Sequence, residues 1–298
     1  MVLVGFEDTP EGRDALALGP VVAGLLDAAA VVCFVTELPG PALEDNELRD
    51  GAVRADVRAL AAARAAGEGR PLRHVLASSP AQGLELVAEE VGASAVVLGS
   101  SDRGPVDRVA HGSTIEQLLY GSSCPVAVAP RGLGGRASVD VRHIAVGYNG
   151  TAESLAALEA GAEMALRVGA ELTVLSSVEA PRSVRELAGG PRSRCAEIAE
   201  QRMSAVLEGG VARLPAELRA SARLLYGKAG SELLRASGEF DLMLVGARAN
   251  APARRLFLGS TSRRLFRGAG CPVMAFPAPL EGTRAQPAAV SGSTATAR

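Results

Sequence analysis

The tripeptide Gly-Ser-Thr precedes a helix-like segment at two places in this chain, residues 112–114 and residues 259–261. Free backbone N–H groups at a helix start, the helix dipole and two hydroxyl groups together suit a phosphate. The first serine could instead act only as a helix N-cap, because Ser113 and Glu116 have the spacing of a capping box. The residues by themselves leave the phosphate site and the cap equally open.

Each tripeptide belongs to a longer repeat. Gly99 and Gly246 are 147 residues apart, and so are Cys124-Pro125 and Cys271-Pro272. Copies of about 140 residues are too long for a solenoid repeat and fit two duplicated domains. We therefore expect a first domain over 1–132, a linker over 133–140, a second domain over 141–280 and a disordered tail over 281–298.

Apolar runs alternate with helix-like stretches in both copies. The runs of the first copy are Met1 to Phe6, Ala30 to Val35, Leu72 to Ala77, Ala95 to Gly99 and a run from Pro125. Those of the second copy are His143 to Tyr148, Leu172 to Val178, Ala222 to Tyr226, Asp241 to Gly246 and a run from Pro272. Strands separated by helices at this spacing indicate right-handed crossovers. The pattern predicts an α/β fold of two tandem domains, each an open five-stranded parallel-type sheet with helices on both faces.

The fifth strands are each bracketed by prolines, at Pro125 and Pro130 in the first copy and at Pro272 and Pro277 in the second. Prolines confine a strand to a sheet edge, and exposed apolar edges invite pairing. We expect the two strands to pair within one chain across a pseudo-two-fold axis. A homodimer of whole chains stays open.

Charge and motifs exclude several classes of function. The net charge of -2 gives no reason to expect nucleic acid or an acidic membrane as partner. Lys228 is the one lysine and precedes Ala229, so a Walker A loop is absent. Catalytic elbows, metal-binding histidine motifs and paired carboxylates do not stand out. We therefore expect no catalytic residue, no metal site and no enzyme.

The cysteines and one apolar segment bear on localisation. Cys33, Cys124, Cys195 and Cys271 are isolated from one another and are interpreted as small buried side chains. Isolated cysteines without a signal peptide indicate a reducing, cytoplasmic setting. The segment from Ala15 to Val35 is almost wholly apolar, and we predict a helix followed by a strand there rather than a membrane span.

Both copies resemble the universal stress protein family. Its nucleotide-binding form carries Gly, two residues, Gly, nine residues and then Gly-Ser or Gly-Thr, followed by a helix and a Cys-Pro-Val strand. The resemblance covers nearly all of residues 1–277, although Asp102 and Ala249 stand where the family has its second glycine. It implies Rossmann-like domains of the adenine-nucleotide-binding type. It also implies ATP, with magnesium left open, as the ligand of a stress-response or dormancy regulator.

The resemblance implies contacts beyond the carboxyl ends of the strands, where open parallel sheets bind ligands. In the first copy these are Glu7, Thr9, Gly99, Asp102, Gly112, Ser113 and Thr114. In the second copy they are Asn149, Gly150, Thr151, Val174, Gly246, Ala249, Gly259, Ser260 and Thr261. Two other classes of function stay open. One is a nucleotide-free scaffold for protein interaction and dimerisation, and the other is a slow nucleotide hydrolase.

Charge predicts that the two sites are unequal. The first has three carboxylates, on Glu7, Asp8 and Asp102, where small or shorter residues are usual in the family. The corresponding residues of the second site are uncharged. A basic stretch lies around the second Gly-Ser loop, and some of its arginines could reach phosphates: Arg248, Arg254, Arg255, Arg263, Arg264 and Arg267. We therefore expect tighter nucleotide binding in the second copy, unless magnesium held by Asp8 or Asp102 reverses the order.

Overall fold

The computed structural model describes residues 1–37, 58, 60–65, 67, 69–100, 114–136, 138–179, 194–247, 249–250, 255–256 and 259–277. The predicted tail and the loop residues 101–113 lie outside these ranges. Three of the predicted site residues, Asp102, Gly112 and Ser113, belong to that loop.

The ten strands of the two half-sheets lie close to the apolar runs from which they were predicted. Those of the first half are β1 (Val2–Gly5), β2 (Ala30–Glu37), β3 (Leu72–Ala77), β4 (Ala95–Gly99) and β5 (Val126–Ala129). Those of the second half are β6 (His143–Gly147), β7 (Glu171–Val178), β8 (Ala220–Tyr226), β9 (Leu242–Gly246), β10 (Ala249–Asn250), β11 (Arg255–Leu256) and β12 (Val273–Phe276).

Helices fill the connections between the strands. They are α1 (Pro10–Leu25), α2 (Pro80–Glu90), α3 (Thr114–Gly121), α4 (Ala152–Val168), α5 (Arg194–Val211), α6 (Ala229–Ala236) and α7 (Ser260–Gly268). Residues 60–65 are also helical. Short 3-10 turns occupy Leu133–Gly135 and Ser237–Glu239.

Ten of the strands form one continuous sheet in the order β3-β2-β1-β4-β5-β12-β9-β6-β7-β8. Within each half all neighbours are parallel, as expected for strands joined by helical crossovers. Strands β5 and β12 lie side by side and antiparallel, so the two five-stranded sheets meet at their fifth strands. The predicted α/β class, with parallel sheets and helices on both faces, is confirmed.

The core has two layers, one on each face of the sheet. One contains Val4 and Val146 on the central strands together with side chains of α1 and α4. The other contains Leu3 and Ala145 on the same strands together with side chains of α2, α3, α6 and α7. Adjacent strand residues thus enter opposite layers, and both are buried, which explains why the strands read as continuous apolar runs.

The long apolar segment near the start of the chain divides as predicted. Thr9 caps α1 with its hydroxyl, Pro10 occupies the first turn, and the helix ends at Leu25 before β2 begins at Ala30. In the part of the chain that the structure describes, no helix has the length and apolar character needed to cross a membrane.

The chain that leaves β5 is fixed to the first domain by a buried carboxylate. Asp14 on α1 is 4% exposed, and it accepts hydrogen bonds from the backbone N–H groups of Gly132 at 2.9 Å and Gly134 at 2.7 Å. Leu133 between them is fully buried. The start of the predicted linker is therefore packed against α1.

The short ribbon formed by β10 and β11 was not predicted. Ala249 pairs with Leu256 and Asn250 with Arg255, antiparallel, inside the stretch interpreted from sequence as a Gly-containing loop. Strand β11 lies against α3 of the first half. The loop after β9 therefore reaches across the boundary between the two halves.

Candidate functional site

The carboxyl edge of each half-sheet contains a point where the strand order reverses. In the first half β1 lies between β2 and β4, and in the second half β6 lies between β7 and β9. The segments after β1 and β4 leave the sheet in different directions, as do those after β6 and β9, and ligands of open α/β sheets bind in the crevice between such segments. The predicted site residues that the structure describes are at this edge, with the exception of Val174.

In the second half, a side chain organises the turn after β6. The side-chain oxygen of Asn149 accepts hydrogen bonds from the backbone N–H of Thr151 at 3.2 Å and from its hydroxyl at 2.9 Å. Gly150 has a φ of 81°, a left-handed conformation that suits glycine. Among the described residues the side-chain nitrogen of exposed Asn149 has no partner, so this amide offers donors to the cleft.

In the first half, the backbone organises the equivalent turn. The N–H of Thr9 donates to the carbonyl oxygen of Glu7 at 2.8 Å. A Cβ atom at Gly12 would lie 1.9 Å from that carbonyl oxygen, so the first turn of α1 approaches Glu7 as only glycine allows. Asp8 pairs with Arg13 at 3.1 Å, which offsets one of the three carboxylates expected to repel phosphate.

The predicted site threonines have a structural role in both halves. The hydroxyl of Thr9 accepts from the N–H of Gly12 at 3.1 Å, and that of Thr151 accepts from the N–H of Ser154 at 3.4 Å. Each threonine is therefore the N-cap of the helix that follows the first strand of its half.

Gly99 and Gly246 are required for packing, a role that the sequence interpretation missed. A Cβ atom at Gly99 would lie 2.0 Å from the carbonyl oxygen of Glu11 in α1. One at Gly246 would lie 2.7 Å from the carbonyl carbon of Glu153 in α4. Both glycines let a strand end approach the first turn of a helix, and their contact with a ligand stays a prediction.

Gly259 differs from these two glycines. Its φ of −59° and ψ of 153° are open to any residue, and no described atom lies within 4 Å of a Cβ built on it. It is the N-cap of α7, and among the described residues no side chain supplies a capping hydrogen bond there. Ser260 and Thr261 form the first turn of the helix, so backbone N–H groups remain available at this end.

The start of α6 lies beside the start of α7. A Cβ atom at Gly230 would lie 3.2 Å from the Cα atom of Thr261, so the two first turns are in close contact. The N-cap of α6 is Lys228, which also supplies no side-chain capping bond. In the first half the corresponding helix, α2, is capped by the hydroxyl of Ser79, which accepts from the N–H of Gln82. The second half therefore has two adjacent helix starts whose N-cap residues supply no side-chain capping bond.

The arginines described around α7 are engaged by protein groups. Arg263 and Arg267 each contact the Glu116 carboxylate of the first half at 3.3 Å. Arg264 donates to the hydroxyl of Ser231. These three side chains thus have protein partners in this structure, and their contact with phosphate stays a prediction. Arg248 and Arg254 lie outside the described residues.

Other predicted positions lie at different depths. Val174 has no exposed surface and pairs with Val146, one residue below the level where β6 ends. It therefore packs in the core rather than at the rim of the cleft.

Ser100, which directly follows β4, is 8% exposed, and among the described residues its hydroxyl has no hydrogen-bond partner. Ala247 stands at the equivalent place in the second half.

Thr114 and Ala249 complete the predicted set. Thr114 is the first residue of α3, next to the loop residues that the structure does not describe. Ala249 lies in β10 and pairs with Leu256. Among the described residues, no group of three or more His, Cys, Asp or Glu side chains is placed to hold a metal ion.

Comparison with known proteins identifies the fold and the family. The sequence model of the universal stress protein family matches residues 1–130 and again residues 140–277. The chain is 27% identical over 213 residues to universal stress protein Rv2319c of Mycobacterium tuberculosis, covering 67% of this chain and 69% of that protein. It is 30% identical over 187 residues to universal stress protein Rv2005c of the same organism, covering 61% of each chain.

Solved structures share the whole two-domain arrangement. A universal stress protein from Archaeoglobus fulgidus superposes with a TM-score of 0.65 at 18% identity, covering 93% of this chain and 96% of its own. A putative universal stress protein from Pseudomonas aeruginosa gives a TM-score of 0.59 at 17% identity, covering 93% and 92%. With a family match in each half, the chain belongs to the universal stress protein family in its tandem, two-domain form.

Proposed function

We propose that this chain is an adenine-nucleotide-binding regulator of a stress response or of dormancy, and that the carboxyl edge of its second domain holds ATP. The observation that carries the proposal is the start of α7, where Gly259 leaves the first-turn N–H groups without a side-chain cap. The N-caps of α1, α2 and α4 are Thr9, Ser79 and Thr151, each of which satisfies a first-turn N–H group with its own hydroxyl. An uncapped helix start is suited to phosphate.

The local conformation at Gly259 supports the same proposal. Neither the backbone angles nor the described neighbours require glycine there, in contrast to Gly246. A ligand that approaches the backbone closely would require it, because any side chain would occupy the space of the phosphate. The hydroxyls of Ser260 and Thr261 stand in the same turn and can donate to phosphate oxygens.

The opposite side of the cleft supplies groups for the ribose or the base. Strand β6 lies next to β9, so the turn formed by Asn149 and Gly150 faces the segment that leads to α7. The oxygen of the Asn149 amide is bonded to Thr151, and its nitrogen is the group that can contact a ligand. The ligand atoms that Asn149 binds are then acceptors, such as ring nitrogens or ribose oxygens.

A nucleotide-free scaffold is the second candidate function. It is favoured by the engagement of Arg263, Arg264 and Arg267 with protein groups, which takes them away from a bound phosphate. In either case we place the protein in a reducing compartment such as the cytoplasm. The thiols of Cys33, Cys124 and Cys271 support this setting because they are free.

Mass spectrometry of small molecules released from the purified chain on denaturation separates the two candidates. We expect an adenine nucleotide. Calorimetry with ATP and magnesium should then show that Gly259→Asp abolishes the tighter of two ATP-binding events, the one that we assign to the second domain. Gly238→Asp is the matched control, because it adds the same charge to an exposed turn of the same domain where a Cβ meets nothing within 4 Å. If Gly259→Asp binds ATP like the control, α7 is not the phosphate site, and failure of the unaltered chain to bind any nucleotide supports the scaffold.

A further inference from the structure

The two halves meet through positions that correspond to each other in the repeat. Ala127 on β5 is opposite Met274 on β12, and these residues are 147 positions apart, as are all equivalent residues in this part of the repeat. Their neighbours are exchanged about this pair, because Val126 is opposite Ala275, the equivalent of Val128, and Val128 is opposite Val273, the equivalent of Val126. A pseudo-two-fold axis therefore passes between Ala127 and Met274.

The pair on this axis combines a small and a large side chain. Ala127 and Met274 are both fully buried and belong to the same core layer. If two copies of the first domain paired in this way, alanine would face alanine and leave a void. If two copies of the second domain did so, methionine would face methionine and overfill the space.

The helices next to the axis show a second complementary pair. Glu116 on α3 and Arg263 on α7 are also 147 positions apart, and the carboxylate lies 3.3 Å from the guanidinium. Arg267, one turn further along α7, lies 3.3 Å from the same carboxylate. Glu116 is only 21% exposed, so solvent screens this contact less than it screens an open surface pair. Pairing of like domains would bring two glutamates or two arginine clusters together.

We propose that these two pairs make the interface selective for unlike domains. Size complementarity on one face and charge complementarity on the other stabilise the first domain against the second, and both oppose the pairing of identical domains. The partner that fits the β5 edge of the first domain is therefore a second-type domain with Met and Arg at the axis positions. Selectivity of this kind needs contacts that penalise the wrong partner as well as contacts that favour the right one.

An exchange of the paired residues in the full-length chain tests this. Glu116→Arg and Arg263→Glu should each lower the melting temperature, by roughly 3–8 °C for a chain of this size. The double variant exchanges the charges across the axis, and we expect it to recover most of the loss. Arg264→Glu is the control, since Arg264 contacts Ser231 within its own domain. Combined with Glu116→Arg, it should rescue nothing.

The buried pair gives an independent measurement. Met274→Ala should destabilise through a cavity and Ala127→Met through overpacking, whereas the exchanged double variant should melt close to the unaltered chain. If a single variant does not fold, recovery of folded, monomeric chain by its exchange partner, seen by light scattering, still reports the coupling. The proposal would be overturned if the melting temperature of each double variant fell by the sum of the decreases in its two single variants. It would also be overturned if Arg264→Glu restored the melting temperature of Glu116→Arg as well as Arg263→Glu does.

Discussion

The first and second domains build the same turn by different means. In the first domain, the N–H of Thr9 donates to the backbone carbonyl of Glu7, and Gly12 leaves room for that carbonyl. In the second, Asn149 supplies a side-chain oxygen and Gly150 takes the left-handed conformation. The position of the glycine changes, while the capping threonine is common to both.

This difference separates what the fold needs from what the site can vary. A threonine cap before the first helix and a glycine at the end of the fourth strand occur in both halves, and both have a packing or capping explanation. The residues that differ carry charge or amide groups toward the cleft. Two domains that share one fold can therefore offer different surfaces to a ligand.

The largest expected effect concerns the two glycines that end the fourth strands. Gly99→Ala would place a Cβ atom 2.0 Å from a helix carbonyl oxygen, and Gly246→Ala would place one 2.7 Å from a carbonyl carbon. Neither neighbour can yield cheaply, because both are backbone. We expect each substitution to reduce the free energy of unfolding by about 3 kcal/mol or more, with the larger loss at Gly99. Urea unfolding measures both.

Gly24→Ala is the control for this pair. Gly24 lies inside α1, and a Cβ there meets nothing within 4 Å, so alanine should be neutral or stabilising by up to about 1 kcal/mol. A Gly99→Ala variant that unfolds at the same urea concentration as the unaltered chain would contradict the assigned packing role.

The second prediction compares the equivalent cysteines before the fifth strands. Cys271 is 3% exposed, and burial raises its pKa from 9.0 to about 12. Cys124 is half-buried and lines a cavity of about 280 Å³ together with Ala93 and Ser122. Phe240 stands at the position of Ala93 in the second domain and packs against the core there. Burial also raises the pKa of Cys124, but the cavity beside it leads us to expect that a reagent reaches this thiol without unfolding.

Iodoacetamide should therefore modify Cys124 at least about 100-fold faster than Cys271 in the folded chain. The raised pKa of Cys271 means that its thiol stays protonated in the folded state as the pH rises above 9.0, so its labelling should gain little there. Peptide mapping by mass spectrometry gives both rates, and Ala93→Phe should slow the labelling of Cys124. Similar rates at the two cysteines would show that the cavity does not expose the thiol.

The third prediction asks which domain binds nucleotide more tightly. Gly259→Asp should remove the tighter binding event, and Gly112→Asp the weaker one. We expect the two affinities to differ by about tenfold or more, since one unscreened carboxylate near phosphate is a large effect in a cleft. The pairing of Asp8 with Arg13 reduces this difference.

Calorimetry of both variants, with and without magnesium, decides between the halves. If Gly112→Asp removed the tighter binding event under both conditions, the charges of the two sites would not determine which site binds ATP more tightly. Reversal in magnesium alone would indicate that Asp8 or Asp102 helps to hold the ion.

Much of the fold could be predicted from the sequence, because long apolar runs with turn residues between them specify strands. The predicted bounds of β3 and β4 are those observed. The ribbon of β10 and β11 could not be predicted, because strands of two residues carry no periodic pattern. The packing role of Gly99 could not be predicted, because a sequence shows a glycine but not the atom that stands opposite it. The contact of Glu116 with Arg263 could have been found by applying the repeat to the predicted pairing of the fifth strands.

The smallest expected effect, and the one that relates fold to site most directly, concerns the two capping threonines. Thr9→Ala and Thr151→Ala each remove the hydroxyl that accepts a first-turn N–H, and each should cost about 1 kcal/mol of stability.

Only Thr151 also donates to the side-chain oxygen of Asn149. Thr151→Ala should therefore loosen Asn149 and weaken ATP binding by about twofold to fivefold, whereas Thr9→Ala should leave the tighter binding event unchanged. Thr151→Ser keeps both hydrogen bonds and should retain the affinity. Equal stability losses with equal affinities in the two alanine variants would mean that the hydroxyl of Thr151 does not position Asn149 for the nucleotide, even if α7 binds its phosphates.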